Sequence, residues 1–193
     1  MYSQCASEKS AAQQRSFEAA LLDLMGLQLF ENISISELCR RTGLSRKTFY
    51  RLYDAKADVV YAMIDHAIMD AATYIPDASV GPGGLHQFLA YWKSQKKLLD
   101  VLNKNQISAL LMQQAVIHVL NEAPELMRTF GAANSRNGRD LVVFYISGIF
   151  SLVLDWHSRG FDRSIDELSA TMLELMTTTP VKHPMPENAI EKK

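Results

Sequence analysis

Arg40, Arg41, Arg46, Lys47, Arg51 and Lys56 fall within 17 residues and share that stretch with a single acid, Asp54, giving a local net charge of +5. Six cations so close together, with polar side chains between them, suit the binding of phosphate. The whole chain of 193 residues carries −1, so everything outside this stretch must carry −6. The near-neutral average therefore conceals a cationic segment on an acidic remainder.

The elements that would position these cations are announced by their caps. Ser34-Ile35-Ser36-Glu37 has the S-x-x-E form of a capping box, and Ile33 and Leu38 flank it as a hydrophobic staple would. A short helix over 34–41 follows from this, and Thr42-Gly43 supplies a turn. Leu44-Ser45 then repeats the start signal with Ser45 as N-cap, predicting a second short helix over 45–52. Two short helices around a glycine-containing turn, the second opening on Arg46-Lys47-Thr48, form a helix-turn-helix pattern. Such a helix fills the major groove of duplex DNA, where its N-terminal side chains reach base edges. Lys56 falls in the first turn of the next helix, where the macrodipole disfavours a cation. A phosphate partner would reverse that penalty.

Around this motif the pattern is helical throughout. Phe17, Leu21 and Leu24 mark a first helix over about 10–26, weakened at Gly26. Asp54 can cap a fourth helix that Pro76 stops, and Ile75 to Gly84 is the one sizeable loop-like stretch. Further helices follow at about 84–93, 94–104 and 106–122, the last ended by Pro124. A loop with Gly131, Asn134 and Gly138 precedes a long apolar helix over 138–158 that closes on Gly160. Ser164-Ile165-Asp166-Glu167 is a second capping box and opens a final helix, beyond which the tail from Thr177 with Pro180, Pro184 and Pro186 should fray. The fold class is all-α with about nine helices. Only 9 Gly and 6 Pro in the chain fit this better than a turn-rich β sandwich.

Other chemistries lack their residues. Cys5 and Cys39 stand 34 positions apart without a C-x-x-C, so neither a disulfide framework nor a zinc site is expected. The five histidines, at 66, 86, 118, 157 and 183, occur in no H-E-x-x-H, and G-x-S-x-G and P-loop patterns are missing too. The expectation is no enzyme, no metal and no cofactor. The start MYSQCASEKSAAQQR lacks an apolar signal region, which predicts a cytoplasmic protein. The most apolar run, Leu141 to Leu154, is fourteen residues long, shorter than the ~18 needed to span a bilayer, and reads as a buried core helix.

With these residues in view, ISISELCRRTGLSRKTFYRLYDAKADVV resembles the DNA-binding head of the TetR family of bacterial transcriptional regulators. The resemblance covers about residues 10–65. It implies an all-helical homodimer whose head comprises three helices and the start of the fourth. By position, Arg46, Lys47 and Thr48 would read bases or adjacent phosphates, while Tyr50 and Lys56 would contact phosphate. Ser34 and Ser45 would cap helices and bond phosphate, Arg51 would join the cationic surface, and Leu38, Leu44, Phe49 and Tyr53 would form the head core. Two positions depart from the family pattern: Leu52 stands where His or Tyr is frequent, and Lys47 where Gly is frequent. Both should alter operator preference.

FYISGIFSLVLDWHSRGFDRSIDELSATMLELM is similar to the C-terminal region of one TetR subgroup, the regulators of dihydroxyacetone kinase operons. That similarity implies a dimer interface on the last two helices, expected at Phe144, Ser147, Gly148, Ser151, Leu168, Met172 and Leu175. An effector cavity would be lined by Trp92, Met112, His118, Phe144 and Trp156, large apolar side chains with one imidazole. The domain expectation is a DNA-binding head over 1–56, an effector and dimerisation body over 57–179, and a tail over 180–193. The expected partners are a double-stranded operator, a second copy of the chain and a small-molecule effector, with no membrane. The competing expectation is a coactivator or adaptor of the same fold that binds a protein through its body.

Overall fold

A computed structural model describes residues 7–73, 82–122 and 136–178. Among these the chain forms nine α-helices and one 3-10 turn, with no strand. Pro76, Pro124, Gly131, Asn134, Cys5, His183 and the prolines of the tail lie outside the described residues.

α1 (Glu8–Leu27) starts at Ser7, whose hydroxyl accepts the Ser10 N–H at 3.3 Å, and continues through Gly26 without a break. A 3-10 turn, Phe30–Asn32, leads into α2 (Ile35–Thr42), which ends at Gly43 with φ 70°. That left-handed conformation is the one glycine adopts freely, and it turns the chain into α3 (Arg46–Leu52). α4 (Lys56–Thr73) is opened by Asp58, whose carboxylate accepts the N–H groups of Asp54 and Ala55, each at 3.0 Å.

α5 (Pro82–Ser94) starts inside the stretch expected to be loop, because proline needs no N–H partner in a first helical turn. α6 (Lys96–Lys104) stops at a left-handed Gln106, φ 57°, where the Ile107 N–H returns to the Leu102 carbonyl at 2.9 Å. For that reason α7 (Ala109–Glu122) begins three residues later than the periodicity indicates. The long apolar helix expected over 138–158 is α8 (Gly138–Ser158), whose first residue, Gly138, is buried. α9 (Ile165–Thr178) opens on a complete capping box: Glu167 N–H donates to Ser164 Oγ at 3.2 Å and the Glu167 carboxylate accepts the Ser164 N–H at 2.8 Å.

α1 packs on α2, α4 and α6, α4 on α7, α7 on α8, and α9 on α5. Their buried side chains join in one cluster running from Phe17 to Met172. Under α3, Phe17, Phe49 and Tyr53 meet edge to face or tilted, with centroids 5.3 to 6.2 Å apart. Leu38 is buried with them and Leu44 is half-buried against the same core. A second aromatic group, Phe88, Trp92 and Phe150, locks α5 to α8 with centroids 5.2 to 6.2 Å apart.

α8 carries two unlike faces. By length and composition its 21 residues could cross a membrane, more than the fourteen-residue apolar run indicated. Val142, Ile146, Phe150 and Val153 point into the core, whereas Val143, Phe144, Gly148 and Ser151 face outward and Ser147 is half-buried. On α9 the expectation of an outward Leu168 and Met172 is corrected. They are 0 and 1% exposed because the Leu168/Met172 stripe is the side that packs inward, and Leu175 is the residue left at the surface.

Candidate nucleic-acid interface

Both helices of the motif are opened by serine side chains that cap backbone groups. Ser34 Oγ accepts the Glu37 N–H at 3.1 Å, and Ser45 Oγ accepts the Thr48 N–H at 3.1 Å. The first box is only half closed. Glu37 turns its carboxylate toward Gln28, whose Nε2 donates to both oxygens at 3.1 and 3.2 Å, so the residue expected to cap α2 ties it to the end of α1. Thr48 Oγ1 lies 3.0 Å from Ser45 Oγ, which holds both hydroxyls at the start of α3.

Arg46, Lys47 and Tyr50 form the outward face of α3. Tyr50 is half-exposed; its ring stands edge-on to the buried Phe49 with centroids 5.5 Å apart, and the Arg46 guanidinium lies 6.0 Å from its centre. The phenol is thus braced at its base and open at its tip.

The other cations are partly spoken for. Arg51 donates to Ser10 Oγ at 3.0 Å and Gln13 Oε1 at 2.5 Å, tying α3 back to α1. Arg41 pairs with Asp23 at 3.0 Å, and the same carboxylate takes Lys97 of α6. The Lys97 hydrogen bond, with Arg41 second, holds the Asp23 carboxyl below the usual aspartate range. Lys56 turns inward: Nζ donates to the carbonyls of Phe30 at 2.5 Å and Ile33 at 2.6 Å, and sits 4.1 Å from the Phe30 ring centre. Burial pulls this ammonium below the ordinary lysine value, with Glu31 acting in the opposite sense. Carbonyl partners within the chain already answer the dipole penalty that a phosphate was expected to relieve.

The structure gives the five residues expected around an effector cavity different surroundings. Trp92 is fully buried, and its indole N–H meets no acceptor among the described residues. Met112 is half-buried and its sulfur takes the Ser151 hydroxyl at 3.3 Å, while half-buried His118 lies 3.5 Å from the Glu122 carboxylate. One expectation is corrected. Phe144 is 64% exposed, on the outer side of α8, and so lines no enclosed space within this chain. Trp156 is buried beside the turn after α8: its ring meets Phe161 edge to face at 4.7 Å and its indole N–H donates to the Arg163 carbonyl at 3.0 Å.

Among the described residues no group of three or more His, Cys, Asp and Glu could hold a metal ion. The residues that brace the motif, Ser10 and Gln13 against α3 and Asp23 against α2, carry no spacing signal, because each acts on a partner 18 to 41 positions away.

No protein-family model matches the chain, and no curated protein matches its sequence. The fold does have a counterpart. The crystal structure of a tetR-family transcriptional regulator from Streptomyces coelicolor aligns with a TM-score of 0.55 at 16% identity, covering 89% of this chain and 80% of that one. The chain therefore has the all-helical TetR-like fold.

Proposed function

We propose that this chain is a sequence-specific DNA-binding transcriptional regulator, acting as a cytoplasmic homodimer that represses by occupying a palindromic operator. The observation that carries the reading is the outward face of α3. Arg46, Lys47 and half-exposed Tyr50 project from a helix that Phe49, Leu52 and the Ser45 cap hold rigidly against the core. A helix so displayed matches the geometry by which side chains enter a major groove. In this reading Arg46, Lys47 and Thr48 meet bases and neighbouring phosphates, Tyr50 meets a phosphate, and Ser34, Ser45, Arg51 and Lys56 add to the contact or hold it in place. The TetR-like fold supports the same assignment.

The division of labour follows the chain: a head over 1–56, a body over 57–179 and a tail over 180–193. Dimerisation would use the outer face of α8, where Phe144, Gly148 and Ser151 recur at helical spacing, together with Ser147 and with Leu175 of α9. A Cβ built on Gly148 would meet nothing within 4 Å, which leaves room there for the close approach of a second helix. A small-molecule effector held in the body, near Trp92, Met112 and His118, would release the operator by favouring a different separation of the two heads. The C-terminal likeness to regulators of dihydroxyacetone kinase operons belongs to this reading.

Selection of bound duplexes from random DNA tests it. Enrichment of a palindrome with half-sites one or more helical turns apart is expected. Failure to enrich any duplex would overturn the reading in favour of a protein-binding adaptor.

A further inference from the structure

Phe30, in the turn between α1 and α2, is gripped from two sides. Its carbonyl and ring hold Lys56 of α4, while its N–H donates to Asn105 Oδ1 at 2.7 Å, 75 residues further along the chain. Asn105 is the C-cap residue of α6, and its Nδ2 donates to the Val101 carbonyl at 2.7 Å. That second bond fixes the orientation of the carboxamide, with its oxygen toward Phe30. The preceding residue acts on the same segment: Lys104 Nζ donates to the Gly26 carbonyl at 2.8 Å.

The turn has few bonds of its own. Asn32 N–H reaches the Leu29 carbonyl at 3.0 Å and Ile33 N–H the Phe30 carbonyl at 3.2 Å, whereas the Phe30 N–H finds its acceptor on α6. Immediately after it come Ile33, whose carbonyl also holds Lys56, and Ser34, the cap of α2. The end of α6 thus reaches the base of the helix-turn-helix through the Asn105–Phe30 hydrogen bond. That end is also unusually shaped, since the chain leaves it through the left-handed Gln106.

We propose that Asn105 is a positioning residue: a clasp through which the C-terminal end of α6 sets the placement of the Phe30 turn, and with it α2 and α3 relative to α4. Released from Asn105, the turn loses the acceptor for its first amide, and the Lys56 cradle moves with it. DNA affinity would then fall although no group that meets DNA has changed. The clasp rests on the DNA-binding reading above for its functional half and on hydrogen-bond geometry alone for its structural half.

The test is residue-resolved amide hydrogen exchange on the full chain, paired with affinity for a duplex selected by the unmodified protein. In Asn105→Ala, exchange at Phe30 through Ile33 is expected to rise about tenfold, the weight of one net hydrogen bond, while α8 amides stay as they were. Duplex affinity should fall by a similar factor. Asn105→Asp, which keeps an oxygen acceptor but loses the Nδ2 donor to Val101, should recover only part of each, and Lys96→Ala, on an exposed face of the same helix, should change neither. Exchange that rises equally in α8 would make Asn105 a general stabiliser and overturn the proposal. A rise confined to the turn with affinity unchanged would overturn the coupling. If the unmodified chain enriches no duplex, the DNA reading fails and the functional half of the clasp with it, while the exchange pattern still decides whether the clasp exists.

Discussion

Lys56 Nζ lies 2.6 Å from the Ile33 carbonyl oxygen, so a cation at the start of α4 serves as the closing partner of the turn that precedes α2. The two helices of the motif and the helix that carries them into the body are joined at this point. An ammonium in contact with backbone carbonyls and an aromatic face is held by charge–dipole and cation–π attraction together.

Replacing Lys56 by Ala takes the ammonium donor from both carbonyls, leaving Phe30 with only the Ile33 N–H at 3.2 Å. The expected cost is about 1–3 kcal/mol of folding free energy, typical of a hydrogen bond to a charged group. Urea denaturation of the variant measures it. A midpoint unchanged from the unmodified chain would show that the side chain lies free in solution and is available to phosphate.

Gly148 separates the stability of one protomer from that of the proposed dimer. A methyl group there meets nothing within 4 Å, and alanine is favoured over glycine inside a helix by about 1 kcal/mol. Gly148→Ala should therefore stabilise the protomer slightly and weaken self-association, because the added carbon holds the partner helix away. Sedimentation equilibrium and thermal melts at low concentration give the two numbers. Phe144→Glu should dissociate the proposed dimer more completely while leaving the protomer folded. Unchanged association in both variants would move the interface elsewhere.

How far the sequence alone carries can be judged at particular residues. Ser45, Ser164 and Gly43 were legible because caps and turns are local: the residues that make them lie within three or four positions of one another. The inward turn of Leu168 and Met172 was not, since periodicity finds an apolar stripe but leaves open whether the same chain or a second copy covers it. Phe144 shows the converse case, an apolar side chain that the protomer does not cover. Asp23, Gln13 and Asn105 leave no sequence signal because each acts across 18 to 75 residues, and only the packing of α1 and α6 brings them to their partners.

Asp23 makes the head sensitive to acid. Its folded pKa lies below the ordinary 3.8, held there by Lys97 and Arg41, so the unfolded chain takes up this proton first. The stabilisation is fully present above about pH 4 and is lost as pH falls through the folded value. Asp100 and Glu167, also lowered, add to the same trend. In Asp23→Asn the unfolding free energy should fall less steeply between pH 4 and 3 in about 0.1 M salt, as read by urea titrations at each pH. Equal slopes in variant and parent would mean that the Lys97 and Arg41 contacts contribute nothing in solution.

The central claim is that the outward face of α3 binds DNA. Salt-dependent affinity for a selected duplex, compared between the unmodified chain and the Lys47→Ala/Tyr50→Ala double variant, tests it most directly. Each lost phosphate contact made by a cation lowers the slope of log affinity against log salt by about 0.9, and a lost base contact costs about 1–3 kcal/mol. A slope shallower by about one unit and an affinity at least tenfold weaker are expected, with the fold unchanged by circular dichroism. The same slope and the same affinity in the double variant would contradict the claim.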